Sequence, residues 1–355
     1  MTEDTRYRAA DLVAFAQALF CGAAMDRDKA AVVAELLVEG DLFGHDTHGL
    51  QLAAPYLAEL KAGRMAGTGA PEVVSDNGTA LTWDGRRLPG VWLTAQAVDL
   101  AVERATDRGL AAVTIRRSHH IACLATFLER ATNRGCVVVL ASSDPNNASV
   151  APFGGTAAVM TPNPIAAGIP TDGEPMLIDI SSSITTNSMT YRLHKEGKRF
   201  PGPWLLDAQG RPSDDPAVAF TDPPGTILPL GGLDSGHKGY GLGLLVEALT
   251  QGLSGFGRAE PAEGWGASVF VLALDPAAFG GREAFARQTG WLADACRDSP
   301  PVDGGPPVRL PGERALARKR AALRDGLGLR AGIMDALRPW AEKLEVPVPN
   351  AMPSV

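Results

Sequence analysis

Six histidines, His45, His48, His119, His120, His194 and His237, are the residues of this 355-residue chain best suited to moving a proton near neutral pH. His45 and His48 sit in a polar loop with Asp46 between them, an HxxH pair that a metal-dependent hydrolase or lyase would use. Such a site needs a third protein ligand and a supporting shell, and no partner cluster stands out, so no metal is assigned. His119 and His120 follow a predicted strand, Ala111–Ile115, and precede a predicted helix. From position alone they serve equally as helix caps or as proton carriers at a sheet edge. Ser142-Ser143-Asp144-Pro145-Asn146-Asn147 follows a second predicted strand, and Asp179-Ile180-Ser181-Ser182-Ser183 a third. Three strands ending in polar turns imply one shared edge, whose hydroxyls and amides can hold a phosphate or ribose. Gly239-Tyr240-Gly241-Leu242-Gly243 lacks the preceding strand that a dinucleotide fingerprint requires, and reads better as glycines that permit close packing.

Helical spacing of apolar residues predicts two N-terminal helices, broken near Met25-Asp26 and ending at Gly44, and a third over Leu50–Ala62. Short β-type runs follow at Val73-Val74 and Ala80–Trp83, then a helix over Leu93–Ala105. Strands are predicted at Ala111–Ile115, Cys136–Leu140, Met176–Ile180 and Val269–Leu274, with a helix over Ile121–Thr132 between the first two. Helices over Glu313–Leu327 and Gly332–Leu344 can return to the N-terminal helices. The stretch from His194 to Gly225 holds so many Pro and Gly residues that it reads as a long shaped loop. The whole is an α/β or α+β fold of about two domains, at roughly 150 residues each.

Lys and Arg number 33 against 40 Asp and Glu, a net charge of −7 with no block of like charges, which excludes a nucleic-acid partner. No apolar run reaches the roughly 18 residues of a membrane span. The acidic start, Met1 to Thr5, does not read as a signal peptide. Four scattered cysteines, Cys21, Cys123, Cys136 and Cys296, read as reduced core thiols of a cytoplasmic protein.

Seven motifs occur in order: Gly44-His45-Asp46-Thr47-His48-Gly49, Ser118-His119-His120, Pro152-Phe153-Gly154-Gly155, Thr161-Pro162-Asn163-Pro164, Asp179-Ile180-Ser181-Ser182-Ser183, Gly236-His237-Lys238-Gly239-Tyr240-Gly241 and Leu310-Pro311-Gly312-Glu313-Arg314. With them, nearly the whole chain resembles the malate/L-lactate dehydrogenase family of the second type, which includes ureidoglycolate dehydrogenase and cyclic-imine reductases. The resemblance implies a non-Rossmann α/β fold with a large mixed-sheet domain, 71–304, and a discontinuous helical domain from both termini, 1–70 and 305–355. It also implies homodimers and extended NAD or NADP. His120 would be the proton donor and acceptor, with His48 and Asp179 flanking the reacting centre. Ser143, Asp179, Ile180, Ser181, His237, Lys238, Pro311, Gly312, Glu313 and Arg314 would surround the cofactor. The implied reaction interconverts a small 2-hydroxy acid and its 2-oxo acid; the alternative is reduction of a cyclic 2-imino acid of the piperideine-2-carboxylate type.

The sequence departs from the family where an arginine commonly follows the first motif to clamp the substrate carboxylate. Here the residues are Gly49-Leu50-Gln51-Leu52-Ala53-Ala54. Another cation must then hold a carboxylate, and Arg116, Arg117 and Arg192 are the candidates.

Overall fold

The computed structural model describes residues 5–262 and 264–352; residues 1–4, the acidic start of the chain, lie outside it. A short strand β1 (Arg6–Tyr7) leads into α1 (Ala9–Gly22), α2 (Arg27–Phe43) and α3 (Ala53–Lys61). Strands β2 (Glu72–Asp76) and β3 (Ala80–Asp84) precede the long α4 (Gly90–Arg108) and β4 (Leu110–Ser118). After the single-turn α5 (Glu129–Thr132) come β5 (Val137–Ser143), β6 (Pro164–Ile169), β7 (Met176–Ser181) and α6 (Asn187–Lys195). The Pro- and Gly-rich stretch forms a three-stranded flap from β8 (Leu205–Leu206), β9 (Pro212–Ser213) and β10 (Thr226–Ile227). Helix α7 (Gly232–Glu247), β11 (Ala267–Leu274), α8 (Arg282–Arg297), α9 (Glu313–Asp325), β12 (Leu327–Gly328) and α10 (Ile333–Lys343) complete the order.

Seven strands form one mixed sheet in the order β2-β3-β4-β11-β5-β6-β7, in which β3 and β4 are parallel and the other pairs antiparallel. Such a sheet requires strand runs that are apolar on both faces at its centre, and β4, β5 and β11 supply them. The two chain ends meet: β1 pairs with β12, Tyr7 opposite Leu327, and α9 and α10 pack against α2 and α3. Apolar faces of these helices, α4 and the sheet merge into one buried cluster, from Leu12 and Phe20 through Val98 and Ile115 to Leu337.

One local expectation changes. Only a 3-10 turn, Leu124–Phe127, and α5 occupy the span read as one helix over 121–132. Ala122 there has a φ of +60°, outside the helical region, and the 119–123 stretch, neither helix nor strand, carries His120 along the sheet edge. The Gly239–Gly243 motif lies inside α7, where a Cβ on Gly239 would strike backbone atoms of Leu230 and Ser182, which is the close-packing role. Strand β6 was not expected; Pro164 and Gly168 hide its period.

The start of α4 is pressed against the backbone carbonyls of His119 and His120, and a Cβ on Gly90 has no room there. Both neighbours are main chain and cannot rotate away. Gly90→Ala is therefore expected to lower unfolding free energy by about 1–3 kcal/mol, read by urea denaturation. A variant as stable as the parent would mean the contact is soft.

Candidate active site

The sheet register brings the three polar turns to one edge. Ser118 at the end of β4 pairs with Ala267, Ser143 at the end of β5 with Ser268, and Ser181 at the end of β7 with Pro164. A cleft of about 240 Å³ opens there, lined by His48, Leu52, His120, Ser143, the first residues of α6 and Trp265. Among the described residues lining it there is no Lys or Arg.

His120 is the centre of an aromatic cluster. Trp265 stacks on it with ring centroids 4.6 Å apart, His48 lies at 6.0 Å, and Tyr56 approaches edge-on. The Tyr56 hydroxyl lies 2.7 Å from His120 Nδ1 and 3.3 Å from the main-chain oxygen of the same residue, while the Ala122 amide lies 3.4 Å from Nδ1. Nδ1 is thus occupied from behind, and Nε2 is the nitrogen left to the cleft. Burial, then the neighbouring His48 and His119, holds the His120 imidazole well below its ordinary value. Burial also pushes His48 and His119 down to about 4 each. His119 is fully buried and its Nε2 lies 3.4 Å from a Glu59 carboxylate oxygen. All three rings are therefore neutral at pH 7. Tyr56 is itself driven well above 10 by burial, so its hydroxyl keeps its proton.

The loop that presents His48 is pinned by Asp41, whose carboxylate accepts a 2.7 Å hydrogen bond from the Leu50 amide. Burial pushes this carboxyl up to about 7. Gly49 is required beside it, since a Cβ there would collide with the Asp41 side chain.

The other sequence candidates divide into separate groups. Asp179 lies in a neighbouring cleft of about 400 Å³ with His45, Gly312, Arg314 and Arg318, across the 121–125 segment from His120. Its carboxylate accepts from the Ala125 amide at 2.9 Å and contacts Cys123 Sγ at 3.7 Å, not His48 or His120. Burial raises both Asp179 and the Cys123 thiol toward their protonated forms. His45, Cys123 and Asp179 bring one ligand atom each within 4.8 Å of one another, whereas His45 and His48 of the HxxH pair line different clefts.

Pro311 joins this cleft because its carbonyl accepts from the Leu177 amide at 3.0 Å. Gly312, at φ +94°, fits only because it lacks a Cβ that would strike Leu177. Glu313 is spent on its own helix start, accepting from the Leu310 amide and from Arg297. Ile180 is exposed on the cleft wall, and Ser181 donates to the Ser183 carbonyl. His237 and Lys238 are exposed on α7 outside both clefts, His237 edge-on to Phe153. His194 stacks on Phe220, remote in role from either.

Ser143 lines the His120 cleft, yet its hydroxyl donates to Glu247 and accepts from Gln251 and Arg258. Glu247 also takes hydrogen bonds from Asn163 and from two nitrogens of Arg258. A π-helical turn, Ala248–Gly252, follows α7 and carries Gln251 to Ser143. Arg116 and Arg117 turn to Asp84, at 3.1 and 3.7 Å, and line neither cleft.

Residues 7–338 match the malate/L-lactate dehydrogenase family. The chain belongs to that family. It is 33% identical over 331 residues to an L-lactate dehydrogenase of Cupriavidus necator, covering 91% of this chain and 93% of the relative. The fold is that of a malate dehydrogenase from Entamoeba histolytica, with TM-score 0.91 and 24% identity over 97% of this chain and 99% of that one. A Δ1-piperideine-2-carboxylate reductase from Pseudomonas syringae pvar. tomato is also similar, with TM-score 0.82 and 25% identity, covering 95% of this chain and 99% of that one. This is a family of oxidoreductases, and the chain is an enzyme of that class with a non-Rossmann mixed sheet. No helix among the described residues is long and apolar enough to cross a membrane.

Glu247 carries the network beneath Ser143. Glu247→Ala strands the half-buried Arg258 guanidinium that pairs with it at 2.9 Å. A loss of about 2–4 kcal/mol in unfolding free energy is expected, measured by denaturant titration. A loss below about 1 kcal/mol would mean that Arg258 finds water instead.

Proposed function

We propose that the chain interconverts a small 2-hydroxy acid and its 2-oxo acid with NAD or NADP, and that His120 is the acid/base. The observation that carries this reading is the 2.7 Å contact of the Tyr56 hydroxyl with His120 Nδ1, which leaves a neutral imidazole with one nitrogen toward the cleft. Oxidising a carbinol removes a hydride from carbon and a proton from oxygen, and a neutral imidazole is the group for the second.

The residues present fit a dinucleotide. Two clefts flank one segment of chain, and the cleft away from His120 offers Arg314, Arg318 and the first turn of the 13-residue α9, which suit phosphates. When bound, the nicotinamide ring supplies the hydride acceptor. Asp179, Ile180, Pro311 and Gly312 would shape that arm, and Ser143 the floor of the other.

During oxidation His120 Nε2 takes the substrate hydroxyl proton, while Nδ1 keeps its hydrogen and donates it to the Tyr56 hydroxyl, which turns its own hydrogen to the His120 carbonyl. In reduction the Nε2 hydrogen goes to the forming alkoxide, and Nδ1–H keeps its bond to Tyr56. A hydroxyl acceptor thus holds Nδ1–H in both states of the ring without the strong bias toward the charged form that a carboxylate would add. The Trp265 indole covers one face of the ring, and His48, neutral itself and lining the same cleft, can bond the substrate oxygen.

The likeness to the piperideine-2-carboxylate reductase favours one second reading, in which the same His120 protonates an imine nitrogen. Loss of NADH or NADPH absorbance with 2-oxo acids, alone and with ammonia or methylamine, separates them. Turnover without amine supports the dehydrogenase, and turnover only with amine supports the imine reductase.

His120→Asn should lower kcat about 10²–10⁴-fold while leaving cofactor affinity within a few-fold. Because protonation of His120 abolishes the base and its pKa lies well below 6.5, oxidative kcat/KM should still be on its plateau at pH 6.5 and fall only at lower pH. Tyr56→Phe removes the acceptor for Nδ1–H of the imidazolium. Its acid limb should move to lower pH, with kcat reduced about 10–10²-fold. An unchanged profile in that variant would leave Tyr56 a packing residue.

A further inference from the structure

His45 and Cys123 have no task in the proton chemistry at His120, yet the fold brings them together with Asp179 from three distant parts of the chain. An imidazole nitrogen, the thiol sulfur and a carboxylate oxygen lie within 4.8 Å of one another. Cys123 Sγ and Asp179 Oδ2 are 3.7 Å apart. A tetrahedral ion that holds sulfur at about 2.3 Å and oxygen at about 2.1 Å sets those two atoms about 3.6 Å from each other. One edge of such a coordination shell is therefore already formed.

Backbone fixes the three carriers. His45 follows Gly44, the left-handed C-cap of α2 at φ +82°, and its amide donates to the Gly40 carbonyl at 2.8 Å. Cys123 follows Ala122, at φ +60°. Asp179 sits in β7 opposite Ala166, and the Ala125 amide donates to its carboxylate at 2.9 Å, the kind of outer hydrogen bond that orients a ligating carboxylate. His45 and Asp179 line the cleft of about 400 Å³, and Cys123 is buried behind it. Three ligands so arranged leave a fourth position on the cleft side.

The donor set selects the ion. Nitrogen and sulfur suit zinc, whereas magnesium and calcium take oxygen. Arg314 and Arg318 in the same cleft would oppose a bare cation. A thiolate and a carboxylate together carry two negative charges, so the filled site is neutral and the guanidiniums face no net charge.

We propose that His45, Cys123 and Asp179 bind one zinc ion, with its fourth position open to the cleft. Binding releases the thiol proton to solvent and uses the neutral form of the imidazole. The site stands on these three residues. Its consequence rests on the reading above that this cleft holds the phosphate arm of a dinucleotide: zinc and dinucleotide then exclude each other, and zinc inhibits the enzyme.

The test uses the full chain, freed of affinity tag and of metal. Calorimetry with Zn²⁺ should give one ion per chain, with no binding of Mg²⁺ or Ca²⁺. Co²⁺, as a probe, should show the visible absorption of a four-coordinate ion and a near-ultraviolet thiolate-to-cobalt band. Cys123→Ser should abolish that band and Cys296→Ser should keep it. His45→Gln, at a partly exposed position, keeps the sulfur and should weaken Zn²⁺ binding by about 10- to 100-fold or more, which tests the site even where the buried Cys123 variant fails to fold. Zn²⁺ should raise the apparent Kd for NADH or NADPH in the parent, and far less in His45→Gln. No Zn²⁺ binding, a cobalt spectrum without the thiolate band, or equal Zn²⁺ affinity in parent and His45→Gln overturns the site. Zinc bound with dinucleotide affinity unchanged upholds the site and overturns the exclusion. A metal-free parent that binds neither NADH nor NADPH overturns the cofactor reading, while the cobalt band still decides the site.

Discussion

An imidazole enclosed by aromatic rings and a hydroxyl, with no carboxylate hydrogen-bonded to it among the described residues, has to stay neutral, and much of the site follows from that. His120 is stacked by Trp265, backed by Tyr56 and crowded by His48 and His119, each of which makes a positive charge on it more costly. A carboxylate in the place of Tyr56 would hold the ring charged and spend its basicity before substrate arrives. The Tyr56 hydroxyl is kept protonated by its own burial, so it can accept Nδ1–H and give its own hydrogen to the His120 carbonyl.

Holding that ring is a matter of backbone. His120 lies beyond the end of β4 in a stretch that is neither helix nor strand, and the pairing of Ser118 with Ala267 sets it beside Trp265, two residues before β11. Gly90 lets α4 press on the two histidine carbonyls, and Asp41 ties down the loop that brings His48 to face it. Each constraint comes from a different part of the chain: a sheet register, a helix start and a buried carboxyl. The network of Ser143, Glu247, Gln251 and Arg258 does the same for the opposite wall.

Much of this was legible in the sequence. The shared edge of three strands could be read from polar turns after apolar runs, because strand ends with hydroxyls and amides have few other uses. The helices α9 and α10 were readable from their period, and the return of the C-terminal segment to the first helices follows from β1 and β12. What stayed hidden depends on contacts between residues far apart. Tyr56 carries the same apolar spacing as Leu52 and Leu60 and looks like core until His120 arrives from 64 positions away. Trp265 belongs to no motif, and Ser143 reads as a free hydroxyl until Glu247 takes it. The Asp179 turn and the His120 turn share an edge but face different clefts, because the 121–125 segment runs between them as an irregular stretch entering a 3-10 turn rather than as the expected helix.

The distribution of charge around the site has a physical reason. A guanidinium in the His120 cleft would oppose the imidazolium that oxidation must create, and none lines it among the described residues. Here the described cations stand one wall away on each side, Arg314 and Arg318 in the cleft of Asp179 and Arg192, Lys195 and Arg330 beyond Ser188. At such separations, with protein and water between, their effect on His120 is damped while their attraction for anionic ends of ligands remains. The central cleft is thereby reserved for the neutral steps of the chemistry, and binding charge is moved to the two ends. On this arrangement a ligand that carries its charges remote from its reacting carbon is held more strongly than one that concentrates them there.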